Sequence, residues 1–252
     1  MVVFLAAAGA FFAGGLTYAL GLFDKVEFEE KSSLFDNDDT KDAHLVAIVV
    51  KCQSKYIGKN IMRLLNAAKR GVDRAHDDSA KLQAAAAAKY GSPEGADSLS
   101  VGLYFDDPTT VEHPRWAVGW CIDVDFAEAQ EMAKQMEEIT AGPHDTFEFQ
   151  AVRIGNGPVI RGSIPWRTTF TAAVAPLLWW GKAMQTYKDG GYTATGNVEA
   201  EGAVALEVYV TGPDMAREHI DYIVLHGDVK TVWSDLYPST QGTEMNTIDD
   251  RS

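Results

Sequence analysis

The sequence predicts an α+β protein: an N-terminal transmembrane helix followed by a tandem β-α-β-β domain, with a groove between two pseudo-symmetric halves. Three observations carry this. Residues 1–23 contain no charged side chain. From residue 44, short β-branched runs alternate with stretches of helical spacing, and that order recurs after residue 140. Two late segments complete the picture. Residues 161–169 read as a strand entering a helix. Residues 205–210 read as a strand that sets one carboxylate, Glu207, among apolar residues. Together they supply the floor and the wall of the groove.

The totals bound the possibilities. A chain of 252 residues with 46% hydrophobic residues builds a core without disulfides or metal. Thirty-six acidic against 22 basic residues give a net charge of -14. Phosphate binding needs a basic footprint, so direct nucleic-acid binding is excluded, as is attachment to anionic lipid by charge. Cys52 and Cys121 make neither a disulfide framework nor a zinc site, and both lie in apolar runs that suit buried thiols. No metal-ligand cluster, phosphate loop or Gly-x-Ser-x-Gly occurs, and no cofactor is implied.

The elements follow in order. A helix over residues 1–23 spans roughly 34 Å at 1.5 Å per residue, enough for a bilayer core of about 30 Å. The rival reading, a cleaved signal peptide, lacks a basic n-region and a clear cleavage site. Residues 24–43, with seven acidic side chains after Asp24 itself, read as a solvated stalk. The domain runs from 44 to 238, with halves at about 44–140 and 145–228, and residues 239–252 read as a tail. A strand at 45–52 and a helix at 57–70 open the first half. An alanine-rich helix at 80–90 reads as a surface insertion. Strands at 99–106 and 115–123 and a helix at 126–139 follow, closed by Gly142 and Pro143. In the second half, strands at 147–154 and 158–164 flank Gly155, Asn156 and Gly157, a hairpin signal. A long helix at 168–188 and strands at 203–210 and 219–226 complete it.

Alternation sorts the faces of the strands. Leu99, Val101, Leu103 and Phe105 form one apolar row, and Val204, Leu206, Val208 and Val210 another; both are expected under helices. Tyr104, Glu207 and Tyr209 then face away from the helices, into the groove. Trp116 and Trp120 share a face of their strand, and Trp166 caps the strand before the long helix. If Glu207 is buried among these aromatics, loss of hydration raises its pKa and fits it to pair a cationic ligand or to act as an acid.

Four stretches carry a family resemblance: Gly-Leu-Tyr-Phe-Asp-Asp-Pro at 102–108, Arg-Trp-Ala-Val-Gly at 115–119, Ile-Pro-Trp-Arg-Thr-Thr at 164–169 and Leu-Glu-Val-Tyr at 206–209. Their order resembles the GyrI-like (SOUL/gyrase-inhibitor-type) domain, and within it the receptors of endoplasmic-reticulum autophagy (reticulophagy). The resemblance spans residues 1–226. It implies a single-pass protein of the endoplasmic-reticulum membrane, anchored by the N-terminal helix, with a cytosolic domain that is a receptor or adaptor and not an enzyme. It also implies ubiquitin-like autophagy modifiers and an AAA segregase as partners, and a groove glutamate, here Glu207, that meets small cationic ligands. The receptors bind modifiers through an aromatic-x-x-aliphatic motif in a long acidic tail. Only 14 residues follow Pro238, none of them aromatic, so Trp233 and Leu236 are the partner motif that remains. Two alternatives stand beside the receptor: a binding protein for hydrophobic or cationic small molecules, and a hydrolase using Glu207.

Overall fold

The computed structural model describes residues 26–35, 44–53, 57–92, 95–105, 115–140, 147–165, 169–192, 194–195, 205–212 and 219–228. Side chains are described throughout these except at 52–53, 57–62, 140, 169–178, 194–195 and 227–228. In chain order the elements are β1 (Glu29–Lys31), β2 (Leu45–Gln53), α1 (Ile57–Ala75), α2 (Ser79–Tyr90), β3 (Ser98–Tyr104), β4 (Arg115–Ile122), α3 (Phe126–Thr140), β5 (Phe149–Ile154), β6 (Val159–Pro165), α4 (Thr169–Asp189), β7 (Ala194–Thr195), β8 (Ala205–Thr211), β9 (His219–Leu225) and β10 (Gly227–Asp228). β7 and β10 form a small parallel pair. The other eight strands form one antiparallel sheet in the order β1-β6-β9-β8-β3-β4-β2-β5.

That order corrects the fold-class expectation in two respects. The halves do not stand side by side as two small sheets with a groove between them. They join edge to edge, because β3 and β8 pair along their length with Val101 opposite Val208 at the centre. Nor is any helix among the described residues long and apolar enough to cross a membrane. The span expected at residues 1–23 lies outside the described residues.

The sheet order is a palindrome about the β3–β8 seam. Each half contributes an inner trio, β3-β4-β2 and β8-β9-β6, with a helical connection before the two inner strands. The outermost strands are exchanged. β1, from the start of the chain, pairs with β6 of the second half, and β5, which opens the second half, pairs with β2 of the first. The hairpin expected at Gly155, Asn156 and Gly157 is therefore a crossover between opposite edges of the sheet. Asn156 Oδ1 accepts hydrogen bonds from the Ser33 hydroxyl (2.7 Å) and from the backbone N–H of Leu34 (2.8 Å) and Phe35 (3.3 Å). A local turn signal reports a change of direction; it does not choose the strand's partner.

Both faces of the sheet are covered. One face carries α1, α3 and α4, whose apolar residues recur at helical spacing: Leu64, Ala68 and Val72 on α1, and Ala129, Met132, Ala133 and Met136 on α3. They close over Val46, Ile48, Val50, Trp116, Val118 and Ile122. Gly71 lets α1 and α3 approach, since a Cβ there would lie 2.6 Å from Met136 Cε. The opposite face carries α2. Ala86, Ala87 and Tyr90 pack on Ala47, Val49, Val101, Leu103 and Val208, so the expected surface insertion is a layer of the core. Gly91, at φ 87°, ends α2 in the left-handed conformation, and the N–H of Ser92 closes on the Ala87 carbonyl at 3.1 Å.

The expected solvated stalk is also corrected over its described part. Val26, Leu34 and Phe35 are buried. The segment wraps the β6 edge. Val26 and Phe28 lie on the α4 side, filling the space left by Gly162, and Leu34 and Phe35 lie on the α2 side, with Phe35 edge-on to Tyr90 at 6.3 Å. Lys182 of α4 donates to the Val26 carbonyl and holds the wrap in place.

One glycine is required by close approach inside the sheet. Gly119 pairs with Val49, and a Cβ on it would stand 2.0 Å from the Ile48 carbonyl oxygen, a backbone atom that cannot turn aside. Gly119→Ala must part β2 from β4 locally. The expected loss is about 2 kcal/mol of unfolding free energy, measured by urea denaturation.

Candidate functional site: a carboxylate caged by tyrosines

The centre of the sheet holds a rung of directly paired residues: Gly162 of β6, Tyr222 of β9, Glu207 of β8, Gly102 of β3 and Val118 of β4. All of them point to the α4 side. The expected orientation of Glu207 and Tyr209, away from the helices, is therefore corrected. Sequence alternation identified the row correctly but gave the wrong cover, because α2 takes the other face.

Glu207 is 1% exposed. Its Oε2 accepts from the Tyr104 hydroxyl at 2.8 Å and from the Tyr209 hydroxyl at 2.5 Å. Each tyrosine arrives for a simple geometric reason. Tyr209 is two residues along the same strand and so on the same face. Tyr104 is two residues along from Gly102, the residue paired with Glu207. A Cβ on Gly102 would stand 3.3 Å from the Tyr104 ring and 3.6 Å from Glu207 Oε2, so a bare glycine is what lets the ring lie back toward the carboxylate. Tyr222 flanks Glu207 on the other side, and the Trp180 ring of α4 lies 6.0 Å from the Tyr104 ring.

Burial dominates the electrostatics. It pushes the Glu207 carboxyl up to about 7, even though the hydrogen bonds from Tyr209 and Tyr104 favour the ionised form. Burial, then the neighbouring Glu207 charge, moves the hydroxyls of Tyr104, Tyr209 and Tyr222 well above their ordinary range, so all three remain protonated. Among the described residues no basic side chain pairs with Glu207.

The remaining expected site residues are placed elsewhere or not at all. Trp116 is fully buried opposite Tyr104, in the core under α1 and α3. Trp120 lies at the α1 side, donating from Nε1 to the Leu65 carbonyl at 3.0 Å, with Lys69 5.5 Å over its ring. Trp166, Trp233 and Leu236 lie outside the described residues. Tyr222 and Trp180 were missed by sequence reasoning. Tyr222 shares its strand's alternating row with Ile220 and Val224, but only the β8–β9 register sets it beside Glu207. The site is also one-sided. Counting from the central Val101–Val208 pair, the first half's counterpart of Glu207 opposite Tyr222 is Ser100 opposite Trp120.

A second buried carboxylate, Asp221, occupies the α2 side of β9. It receives Arg161 Nη2 at 2.8 Å, the Tyr90 hydroxyl at 2.8 Å and the Ser163 hydroxyl, with His219 Nε2 at 3.4 Å. Burial alone would raise its carboxyl; His219, Arg161 and Ser163 outweigh it and hold the group at about 2. Fully satisfied, Asp221 bolts α2 to the second half. Cys121 is a buried free thiol that burial pushes up to about 12, so it is inert.

No family model and no curated protein matches the chain. Among solved structures, an uncharacterized conserved protein from Listeria innocua is similar at 11% identity and a TM-score of 0.45, covering 80% of this chain and 92% of its own. A hydrolase from Listeria innocua is similar at 10% identity and a TM-score of 0.42, covering 82% and 96%. At that level of likeness neither neighbour speaks to the activity of this chain.

Proposed function

We propose that this chain is a binding protein for small organic cations, with Glu207 as the counter-charge. One observation carries the reading: a buried carboxylate with no basic partner among the described residues, ringed by Tyr104, Tyr209 and Tyr222. Interior carboxylates are ordinarily paired with a cation, as Asp221 is here with Arg161. Glu207 is instead held by two neutral donors that orient one oxygen and leave the charge uncompensated. Aromatic faces add a second attraction for a cation, worth about 2 kcal/mol when desolvated. The tyrosines are too weakly acidic in this setting to compete as anions.

The chemistry fixes the pH dependence. A cation binds the ionised form of Glu207, whose carboxyl titrates at about 7. Affinity therefore rises with pH through that value. Between pH 8 and pH 5.5 it is expected to fall about 30-fold, following the ionised fraction, and binding near pH 7 releases protons to the buffer. Calorimetry with pentyltrimethylammonium in buffers of different ionisation enthalpy measures both effects. Glu207→Gln should lower affinity at pH 8 at least tenfold and abolish the pH dependence. Equal binding by Glu207→Gln across the pH range would overturn the assignment.

A further inference from the structure

Among the described residues, two hydrogen-bond donors beside the caged carboxylate have no acceptor. The Trp180 indole N–H and the Tyr222 hydroxyl are buried and find no hydrogen-bond partner among the described residues. Trp180 is 9% exposed and Tyr222 1%. Folded proteins satisfy nearly all such groups, because a buried donor that gives up water and gains nothing is costly. Phenylalanine at position 222 would fill nearly the same space without that cost. The two donors also come from different elements, one from β9 in the sheet and one from α4 above it. They flank the same centre: Tyr222 is directly opposite Glu207, and Trp180 is against Tyr104. Neither the hydroxyl nor the indole donates to Glu207, whose hydrogen bonds from Tyr104 and Tyr209 both end on Oε2.

Building on the cation reading, we propose that the ligand of this cage carries an oxygen acceptor, a carbonyl or ester, beside its positive charge. Glu207 and the tyrosine faces hold the cation. Trp180 Nε1–H and Tyr222 O–H donate to the oxygen. The class of ligand narrows from any hydrophobic cation to an acylated or carbonyl-bearing ammonium. A purely hydrocarbon cation satisfies the charge and leaves both donors unpaired; a neutral carbonyl compound satisfies the donors and leaves the charge bare.

Acetylcholine and pentyltrimethylammonium share a headgroup and a chain of equal length, and only the first carries the ester. Their affinities are measured by calorimetry at pH 8 on the full chain, on Trp180→Phe, on Tyr222→Phe and on the double variant. Wild type is expected to bind acetylcholine about tenfold more tightly than pentyltrimethylammonium. That ratio should fall to about one in the double variant; because the two compounds share a headgroup, any change in the hold on the cation acts on both and cancels in the ratio. Each single variant is expected to lower the ratio about threefold, which carries the test if thermal melts show the double variant unfolded. A ratio near one in wild type, or a ratio unchanged by both substitutions, overturns the acceptor while leaving Glu207 as a cation site. Binding of neither compound overturns both.

Discussion

Replacing Glu207 with glutamine is expected to make the protein more stable above pH 7 and to leave its stability unchanged near pH 4.5. The carboxyl titrates at about 7 in the folded chain against 4.5 ordinarily, raised by burial. Between those values the folded state keeps a proton that the unfolded state has lost, so rising pH favours unfolding. The stabilisation present below 4.5 is lost as pH climbs through about 7, a change of roughly 3 kcal/mol. Glutamine does not titrate, and its amide oxygen still accepts from Tyr104 and Tyr209. Urea unfolding at pH 4.5, 6 and 8 should show the variant gaining roughly 3 kcal/mol on wild type at pH 8. A variant that follows the wild-type slope would show that Glu207 is not the group responsible. The same substitution is expected to lower cation affinity, so on the proposed function the residue trades stability for binding.

Asp221→Asn should act in the opposite direction and at neutral pH. The carboxylate is 0% exposed and pairs with Arg161, so removing its charge breaks an ion pair formed inside the protein, where the Arg161 side chain is itself largely buried. A loss of about 3 kcal/mol or more is expected at pH 7, read from the urea midpoint. Here the sign is reversed, because the folded carboxyl titrates at about 2 against an ordinary 3.8. Its stabilisation is present above 3.8 and is lost as pH falls through about 2, roughly 2 kcal/mol in all. Asp221→Asn should lack that acid limb and keep the Glu207 limb. The two buried carboxylates thus act in separate pH windows, and a pair of unfolding series distinguishes them.

The contrast between these carboxylates shows what the sequence discloses. Strands and helices were legible within a few residues, because β-branched alternation and helical spacing are local and strong here. The row containing Tyr104, Glu207 and Tyr209 was legible for the same reason. Which layer covers that row was not. An alanine-rich helix with little apolar contrast, α2, gives no sign of lying on the core, and it displaced the expected open face. The N-terminal wrap was hidden by its acidic side chains, between which Val26, Leu34 and Phe35 are the residues that pack. Tyr222 and Asp221 sit next to each other in β9 and serve opposite faces, with different partners. Nothing short of the strand register assigns one to the tyrosine cage and the other to Arg161.

The exchange of outer strands has a consequence for how the chain comes together. Each half is finished by a strand borrowed from the other: β6 is bordered by β1, and β2 by β5. A cut between α3 and β5 would therefore not yield two self-sufficient pieces. It would leave one piece holding a strand with nowhere to lie and a raw edge at β2, and the other with a raw edge at β6 and its own surplus strand. The borrowed partners lie far apart along the chain, so these ladders form only once both ends have been gathered, an entropic delay of the kind that slows sheet proteins. The halves interlock like clasped hands: the seam at Val101 and Val208 joins them at the palms, and the exchanged strands keep either from being withdrawn without opening the other.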